Sequence, residues 1–336
     1  MTARPALHNT ARIVQGNPTG PITQFGDTVG GLVAWAVREL TGASPSPLLD
    51  AELLIAFVTG QPRSSVLAFP ERPVRTALGD EVERLVQRRA RGEPLAYLVR
   101  GQEFYSLPLR VTPAVLVPRP ETELLVDEAL ANLPRGETRA VLDLGTGSGA
   151  IALAVKHERP EANVTAADVS AAALTVARAN AERVGLDVRF VESNWFEALA
   201  GERFDVIVCN PPYVASEDRA FADLGYEPRL ALDGGADGLD ALRVVLGGAR
   251  EHLNEAGLLI LEHGHDQRTA LVELAVALGW RVAATHADLA GHARMLVLAV
   301  AEAPGASRKE VSAGGDPSKE RGSQRRNVRA LRSGRK

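Results

Sequence analysis

An apolar run that predicts a buried strand is followed by Asn210, Pro211, Pro212 and Tyr213. Proline donates no backbone hydrogen bond and keeps the preceding residue extended, so the segment predicts a stiff turn whose carbonyl groups face outward. The Asn210 side-chain oxygen and the Pro211 carbonyl can then accept both N–H groups of one planar NH2 group. We predict that this amide clamp exposes the nitrogen lone pair to an electrophile, while Tyr213 stacks on the planar group. Positioning and electrostatics would supply much of the rate without a dedicated base.

A glycine-rich segment, residues 143–150, follows a short apolar run and precedes a helical pattern. Glycine lets the backbone approach a ligand closely, and a helix N-terminus presents free N–H groups to it. Ligands of open α/β sheets bind at this end of the strands, so the segment is a candidate cofactor site. Its central residues are Gly145, Thr146, Gly147, Ser148 and Gly149.

Two cofactors fit this segment. Gly145, Gly147 and Ala150 match the G-x-G-x-x-A form of dinucleotide sites, and Asp168, at the end of the next strand, would bind a ribose diol in either case. Asp143, two residues before the first glycine, favours S-adenosylmethionine (SAM) over a nicotinamide cofactor. A purely structural turn is the third alternative. With SAM, the electrophile beside the clamp would be the methyl group of a sulfonium.

Apolar runs and helical patterns alternate from about residue 139 onward, which implies an α/β fold. We predict a parallel sheet with helices on both faces, linked by right-handed crossovers. The fourth strand should lie beside the first, which would place Asn210 next to the glycine-rich segment. The predicted strands cover residues 139–145, 163–170, 188–193, 204–210, 257–264, 281–291 and 293–300.

The other segments differ in pattern. Residues 29–100 have apolar residues three and four apart, which predicts a small helical domain. Residues 101–120 change to a period of two broken by prolines, which predicts a hairpin linker, and the α/β domain then covers 121–302. Residues 1–28 lack periodicity and 303–336 are rich in Gly, Ser and Arg, so we predict a disordered leader and a disordered tail.

The composition favours a soluble, cytoplasmic protein. Hydrophobic residues make up 45% and charged residues 24% of the 336 residues, which is typical of globular proteins. The single cysteine, Cys209, excludes an intrachain disulfide and suits a reducing compartment. We find no run of about 18 apolar residues and expect no membrane segment.

Three features could suggest other chemistry. Cys209 could be taken for a nucleophile, but no partner histidine is indicated, so a buried strand residue is the better interpretation. Residues 262–265 read Glu-His-Gly-His and resemble a metal-binding pair, yet we interpret them as the end of the fifth strand facing the cleft, without a metal. Trp195, taken alone, predicts core packing.

The motifs together resemble those of the HemK/PrmC family, the peptide chain release factor glutamine methyltransferases. The similarity extends from about residue 29 to residue 300. NPPY alone is only moderately specific, because DNA adenine and RNA amino methyltransferases share it. The combination is specific because it adds LVPRPETELLV, VLDLGTGSGAIALA, NWFEAL, YEPRLALDGGADGLDALR and LEHG.

The resemblance implies a seven-stranded SAM-dependent methyltransferase (Rossmann-like) domain behind a helical substrate-binding domain and a β-hairpin. The substrate would be the glutamine in the Gly-Gly-Gln motif of class 1 release factors, methylated on its side-chain nitrogen N5. Residues 145–149 would line SAM, Asp168 would bind its ribose and Trp195 would flank its adenine. Residues 210–213 would hold the glutamine amide, with Asn210 shared between donor and acceptor. Asn194 stands where the family often has an acid.

Other functions remain as alternatives. An amino methyltransferase acting on DNA or RNA bases would use the same clamp, but a DNA enzyme must flip out its base and needs a basic cleft. A nicotinamide dehydrogenase would leave NPPY unexplained, and an intact NPPY disfavours a non-catalytic SAM-binding module.

Charge is distributed unevenly along the chain. Residues 303–336 carry ten Lys and Arg against three Asp and Glu, a net charge of +7, so the remainder carries −11 of the total of −4. A solvated tail is the simpler interpretation, and we set against it the hypothesis of a weak contact with RNA or another polyanion. On that hypothesis, deleting residues 303–336 lowers salt-dependent RNA binding in a titration. Unchanged binding would remove the hypothesis.

Overall fold

The computed structural model describes residues 28–301 with the exception of residues 220, 222 and 223. The leader predicted for residues 1–28, apart from Thr28, and the tail predicted for 303–336 lie outside the described residues. Residues 28–301 belong to one compact unit. Among the described helices, none has the length and apolar character needed to cross a membrane.

The N-terminal part is helical, as the sequence predicts. Thr28 caps the first helix, because its side-chain oxygen accepts a hydrogen bond from the Gly31 N–H at 3.2 Å. The three longest helices bury Leu32, Leu54 and Leu85 in a common apolar core. The helices are α1 (Val29–Leu40), α2 (Pro47–Thr59), α3 (Arg63–Ala68), α4 (Thr76–Ala90) and α5 (Leu95–Leu98).

An antiparallel hairpin follows the helices, as predicted. Its turn residues Tyr105 and Ser106 have φ values of 50° and 63°, and this left-handed geometry matches the twist of two paired strands. Phe104 lies in the core beneath the sheet, which fixes the hairpin to the α/β part. The elements of this region are β1 (Gln102–Phe104), β2 (Leu107–Leu109), a 3-10 turn (Pro120–Thr122) and α6 (Glu123–Ala131).

Seven strands form one sheet in the order β5-β4-β3-β6-β7-β9-β8. They are β3 (Ala140–Leu144), β4 (Asn163–Asp168), β5 (Arg189–Glu192), β6 (Phe204–Cys209), β7 (Leu253–Glu262), β8 (Trp280–Ala287) and β9 (Ala293–Val300). The helices among them are α7 (Ala150–Glu158), α8 (Ala171–Val184), α9 (Asp240–Gly248) and α10 (Arg268–Ala277). Strand β6 pairs with β3 in parallel, as the sequence predicts.

The sheet is mixed, so the expectation of a wholly parallel sheet is wrong for its last strand. Strand β9 lies between β7 and β8 and is antiparallel to both. The physical reason is the short connection between β8 and β9, where the Gly291 N–H donates to the Asp288 carbonyl at 2.9 Å. A turn of this length can join only antiparallel strands, because parallel strands need a crossover of a dozen or more residues.

Side chains of the strands alternate between two apolar cores, one on each face of the sheet. In β3, Val141 packs with α6, α7 and the hairpin, whereas Leu142 packs with α9 and α10. In β6, Val208 and Cys209 alternate in the same way. The end of β6 is therefore fixed from both faces, immediately before Asn210.

One buried amide joins α8 to the linker and to the glycine-rich segment. Asn180 is fully buried, and its Oδ1 accepts from the Arg110 N–H at 2.7 Å. Its Nδ2 donates to the carbonyl oxygens of Arg110 at 3.0 Å and of Ser148 at 2.9 Å. These bonds satisfy the buried Ser148 carbonyl and two partly buried backbone groups of Arg110.

We predict that Asn180→Ala lowers the free energy of unfolding by about 2 to 3 kcal/mol, because buried backbone groups lose their partners. Asn132→Ala is the matched control: it removes an exposed amide at the end of α6 and should change the value by less than about 0.5 kcal/mol. Urea denaturation measures both. A loss at Asn180 no larger than at Asn132 would contradict the structural role.

Candidate active site

The carboxyl ends of β3, β4 and β6 open into one cavity of about 430 Å³. Leu144 pairs with Ala167 on one side and with Cys209 on the other, so the residues that follow the three strands meet. The predicted site residues in the cavity wall are Gly145, Thr146, Gly147, Ser148, Asp168, Trp195, Asn210 and Pro212. Those that are not among the lining residues are Gly149, Pro211 and Tyr213.

The glycine-rich segment needs glycine for two different reasons. Gly145 and Gly147 have φ values of 79° and 55°, and a Cβ at either would meet nothing within 4 Å, so their backbone borders open space. Gly149 has a φ of 84°, but a Cβ there would meet the Cβ of Ala177 at 3.2 Å. The first two therefore admit a ligand, whereas Gly149 lets the start of α7 approach α8.

Asp143 holds this segment from beneath. Its Oδ2 accepts from the Thr146 hydroxyl at 2.6 Å and from the Ala152 N–H at 3.0 Å. Its Oδ1 is buried and has no hydrogen-bond partner among the described residues. Burial raises the pKa of Asp143 from 3.8 to about 6, against the opposing effect of these two bonds.

Asp168 lies at the end of β4, as predicted, and its carboxylate is fixed by the backbone. Oδ2 accepts from the Gly147 N–H at 2.8 Å, and Oδ1 accepts from the Ser170 N–H at 2.9 Å. Burial raises the pKa of this carboxyl. A carboxylate has about four acceptor positions, so both oxygens can still accept from the hydroxyls of a ribose diol.

Trp195 lines the cavity and also packs against the apolar core that contains Leu142. Its φ of 51° is left-handed, and the turn is held because Ser193 Oγ donates to the Trp195 carbonyl at 2.7 Å. The ring is half-buried, which suits stacking with a heterocycle. Asn194 also lines the cavity, and its amide donates to Glu197 Oε1 at 2.8 Å.

Asn210 belongs to a hydrogen-bonded group that also contains Thr122, Tyr213 and Glu262, which we call the Glu262 network. The Asn210 Nδ2 donates to Thr122 Oγ1 at 3.1 Å, and the Thr122 hydroxyl donates to Glu262 Oε2 at 2.7 Å. The Tyr213 hydroxyl donates to Glu262 Oε1 at 3.0 Å. Burial, with the nearby Glu262, raises the pKa of Tyr213, so the hydroxyl keeps its proton.

The residues that suggested other chemistry are accounted for by packing and hydrogen bonds. Cys209 is fully buried, and burial raises the pKa of its thiol well above its ordinary value, so it is no nucleophile. Glu262 binds the two hydroxyls of its network. The Nδ1 atom of His263, fully buried beside it, lies 2.8 Å from the Gly264 carbonyl oxygen.

The opposite wall of the cavity was missed by the motif analysis. It consists of linker residues 114–116, 118 and 119 together with Pro228, Leu230 and Ala231. Glu227 joins the two segments, because it accepts from the Val117 N–H at 2.9 Å and pairs with Arg119. The LVPRPETELLV and YEPRLALDGGADGLDALR motifs contain most of these residues, but nothing in their spacing predicts that they would meet.

The chain matches models and members of one family. Residues 31–99 match the PrmC N-terminal domain and residues 120–224 match the methyltransferase small domain. A release factor glutamine methyltransferase of Coxiella burnetii is 43% identical over 77% of this chain and 94% of that protein. Proteins of the same name are 47% identical in Xylella fastidiosa (74% and 92% covered) and 44% identical in Salmonella typhimurium (77% and 94% covered). A solved methyltransferase from Pyrococcus furiosus aligns with a TM-score of 0.45 at 23% identity, over 63% of this chain and 97% of that one.

The seven-stranded sheet and the cavity beside its glycine-rich segment, with the methyltransferase domain match, define a SAM-dependent methyltransferase. The relatives narrow the assignment within this class, since they are 43–47% identical over 74–77% of this chain. The chain belongs to the HemK/PrmC family of release factor glutamine methyltransferases.

The buried carboxyl of Asp143 makes stability depend on pH. Its folded-state pKa of about 6 lies above its ordinary 3.8, so its protonated form contributes stability that is complete below about pH 4 and is lost as pH rises through 6. Relative to Asp143→Asn, the wild type should lose roughly 1 kcal/mol between pH 5 and pH 7.5. Urea unfolding of both proteins at the two pH values measures this difference. A constant difference would show that Asp143 does not titrate in this range.

Proposed function

We propose that the chain transfers a methyl group from SAM to the side-chain nitrogen N5 of the glutamine in the Gly-Gly-Gln motif of class 1 release factors. The observation that carries the proposal is that the glycine-rich segment, Asp168 and Asn210 line the same cavity. A donor site and an acceptor clamp therefore share one space, which suits direct transfer between two bound groups.

The residues of the cavity fit SAM. The backbone at Gly145 and Gly147 is open to a ligand, Asp168 accepts from ribose hydroxyls, and Trp195 offers a flat surface to adenine. When bound, SAM supplies an electrophilic methyl group on a sulfonium. We assign these four residues, with Thr146 and Ser148, to the cofactor site, and Gly149 supports them by letting α7 pack on α8.

The amide clamp acts on the acceptor. The Asn210 Oδ1 and the Pro211 carbonyl accept hydrogen bonds from the two N–H groups of the glutamine amide. These bonds orient its nitrogen and favour a pyramidal geometry. The same two oxygens stabilise the positive charge that develops on that nitrogen. S-adenosylhomocysteine would be the leaving product, and the nitrogen would release one proton to solvent to give the neutral N-methyl amide. Pro212 stiffens the turn. Tyr213 acts by hydrogen bonding to Glu262, and its predicted stacking on the amide stays a prediction.

The helical domain is the proposed surface for the release factor. Leu48 at the start of α2, Leu67 on α3 and Phe69 just after it are exposed large apolar side chains of this part. Exposed apolar surface of this kind supports contact with a protein rather than with a nucleic acid. Contact between RNA and residues 303–336 stays a prediction from charge alone.

We expect Asn210→Ala to lower kcat for methylation of a class 1 release factor roughly a hundredfold, because the nitrogen loses one of its two orienting acceptors. Mass spectrometry of the release factor after incubation with SAM gives the mass shift and the modified residue. Calorimetric SAM binding should persist in the variant, since Asp168 and the glycine-rich segment are unchanged. Asn254→Ala, which removes a β7 amide paired with Asp205, is the matched control and should keep full activity.

A single methyl group on the Gly-Gly-Gln glutamine, lost in Asn210→Ala and kept in Asn254→Ala, would support both the reaction and the site. Transfer of the label to DNA or RNA instead of the protein would contradict the proposed acceptor and leave only the amino-methyltransferase chemistry.

A further inference from the structure

The orientation of the Asn210 amide decides whether the clamp can work. An amide side chain has one acceptor, Oδ1, and one donor group, Nδ2, and the substrate amide offers two N–H donors. Only Oδ1 can pair with a substrate N–H; an Asn210 turned the other way would place N–H against N–H. Some group behind Asn210 must therefore hold Nδ2 away from the substrate.

The Glu262 network supplies that group. A carboxylate only accepts hydrogen bonds, and Glu262 accepts from Thr122 at Oε2 and from Tyr213 at Oε1. The single hydroxyl proton of Thr122 is thus committed to Glu262. Thr122 Oγ1 can then only accept from Asn210, so the atom facing it must be Nδ2. The direction of each bond follows from the one before it.

Reversing the hydrogen bonds of the Glu262 network would cost free energy, because two of its members are buried. Thr122 is 5% exposed and Glu262 is 2% exposed, so a reversed bond would leave a buried polar atom without a partner. Burial raises the pKa of Glu262 above its ordinary value, and the hydrogen bonds from the two hydroxyls and the charge of Arg294 limit that rise. The ionised form is the one that accepts at both oxygens.

We propose that Thr122 and Glu262 are positioning residues for methyl transfer, which hold the Asn210 amide with Oδ1 toward the substrate glutamine. The assignment rests on the proposed function, because it explains how the clamp is oriented and not what is methylated. Thr122 lines the cavity and Glu262 does not, and both act through the Asn210 amide. The two come from distant parts of the chain, the 3-10 turn before α6 and the end of β7, and the Thr122 hydroxyl joins them by its bond to Glu262.

The test compares Thr122→Val with Thr122→Ser. Valine keeps the volume but has no hydroxyl, whereas serine keeps the hydroxyl. We expect Thr122→Val to lower kcat roughly tenfold to a hundredfold, because the Asn210 amide would no longer be held in the orientation that positions the substrate nitrogen. The KM for the release factor should stay within about threefold, as for an interaction made mainly in the transition state. Thr122→Ser should restore most of kcat.

Two further variants separate positioning from folding. Thr165→Val makes the same chemical change at a buried threonine of β4 that does not line the cavity, and it should leave kcat unchanged. Glu262→Gln keeps the shape of the side chain, but its NH2 group can face Thr122 and reverse the network, so kcat should again fall at least roughly tenfold. Thermal unfolding and calorimetric SAM binding are measured for every variant, and Glu262→Gln decides the matter if Thr122→Val does not fold.

A folded Thr122→Val or Glu262→Gln with wild-type kcat would overturn the proposal. So would a Thr122→Ser variant as impaired as Thr122→Val, or a loss of SAM affinity that accounts for the fall in rate. A wild-type protein that methylates no glutamine would contradict the proposed function and this role with it. A wild-type protein that does so, beside an equally active Thr122→Val, would contradict the positioning role alone.

Discussion

Parallel pairing of β3 with β4 on one side and with β6 on the other determines where every group of the cavity lies. Leu144, the last residue of β3, is level with Ala167 and with Cys209. Gly145, Asp168 and Asn210 therefore follow at the same height, at the open edge of the sheet. A shift of β6 by one residue would exchange Val208 and Cys209 between the two cores, so apolar packing fixes the register that brings donor and acceptor together.

Buried polar side chains then fix the conformation of the loops and the orientation of the side chains at the cavity, which apolar packing alone does not determine. Asp143 holds the glycine-rich segment, Asn180 ties it to the linker, and the Glu262 network orients the clamp. Asn180 and the Glu262 network bind atoms that are distant in sequence, whereas Asp143 binds Thr146 and Ala152 nearby. All of these hydrogen bonds are directional, which apolar contact is not. Such groups specify one conformation of a site at the expense of tolerance to substitution.

The sequence predicts the parts of this structure that depend on local pattern. Periodicity predicts the approximate positions of the strands and the hairpin. The rules of α/β sheets predict that β3 lies beside β6 and that Asp168, Gly145 and Asn210 line one cavity. The direction of β9 does not follow from periodicity, because it is set by the short turn that precedes this strand.

Side-chain contacts between residues that are far apart in sequence could not be predicted. Thr122 lies 88 residues from Asn210 and 140 from Glu262, and no spacing rule links them. The bond between the Tyr213 hydroxyl and Glu262 was likewise not predicted, whereas the stacking of Tyr213 on the substrate stays a prediction. Glu262 was interpreted as part of the end of the fifth strand facing the cleft, and no partner was predicted for it. A motif shows which residues matter, whereas the direction in which each points depends on partners elsewhere in the chain.

The central claim is that Asn210 presents its Oδ1 atom to the nitrogen that is methylated. The measurement that tests it most directly is a crystal structure of the protein with S-adenosylhomocysteine and a peptide containing Gly-Gly-Gln. The account predicts that the glutamine amide nitrogen lies about 2.7–3.2 Å from both the Asn210 side-chain oxygen and the Pro211 carbonyl oxygen, with the amide of Asn210 still bound to Thr122. A glutamine bound elsewhere in the cavity, or held without Asn210, would contradict it.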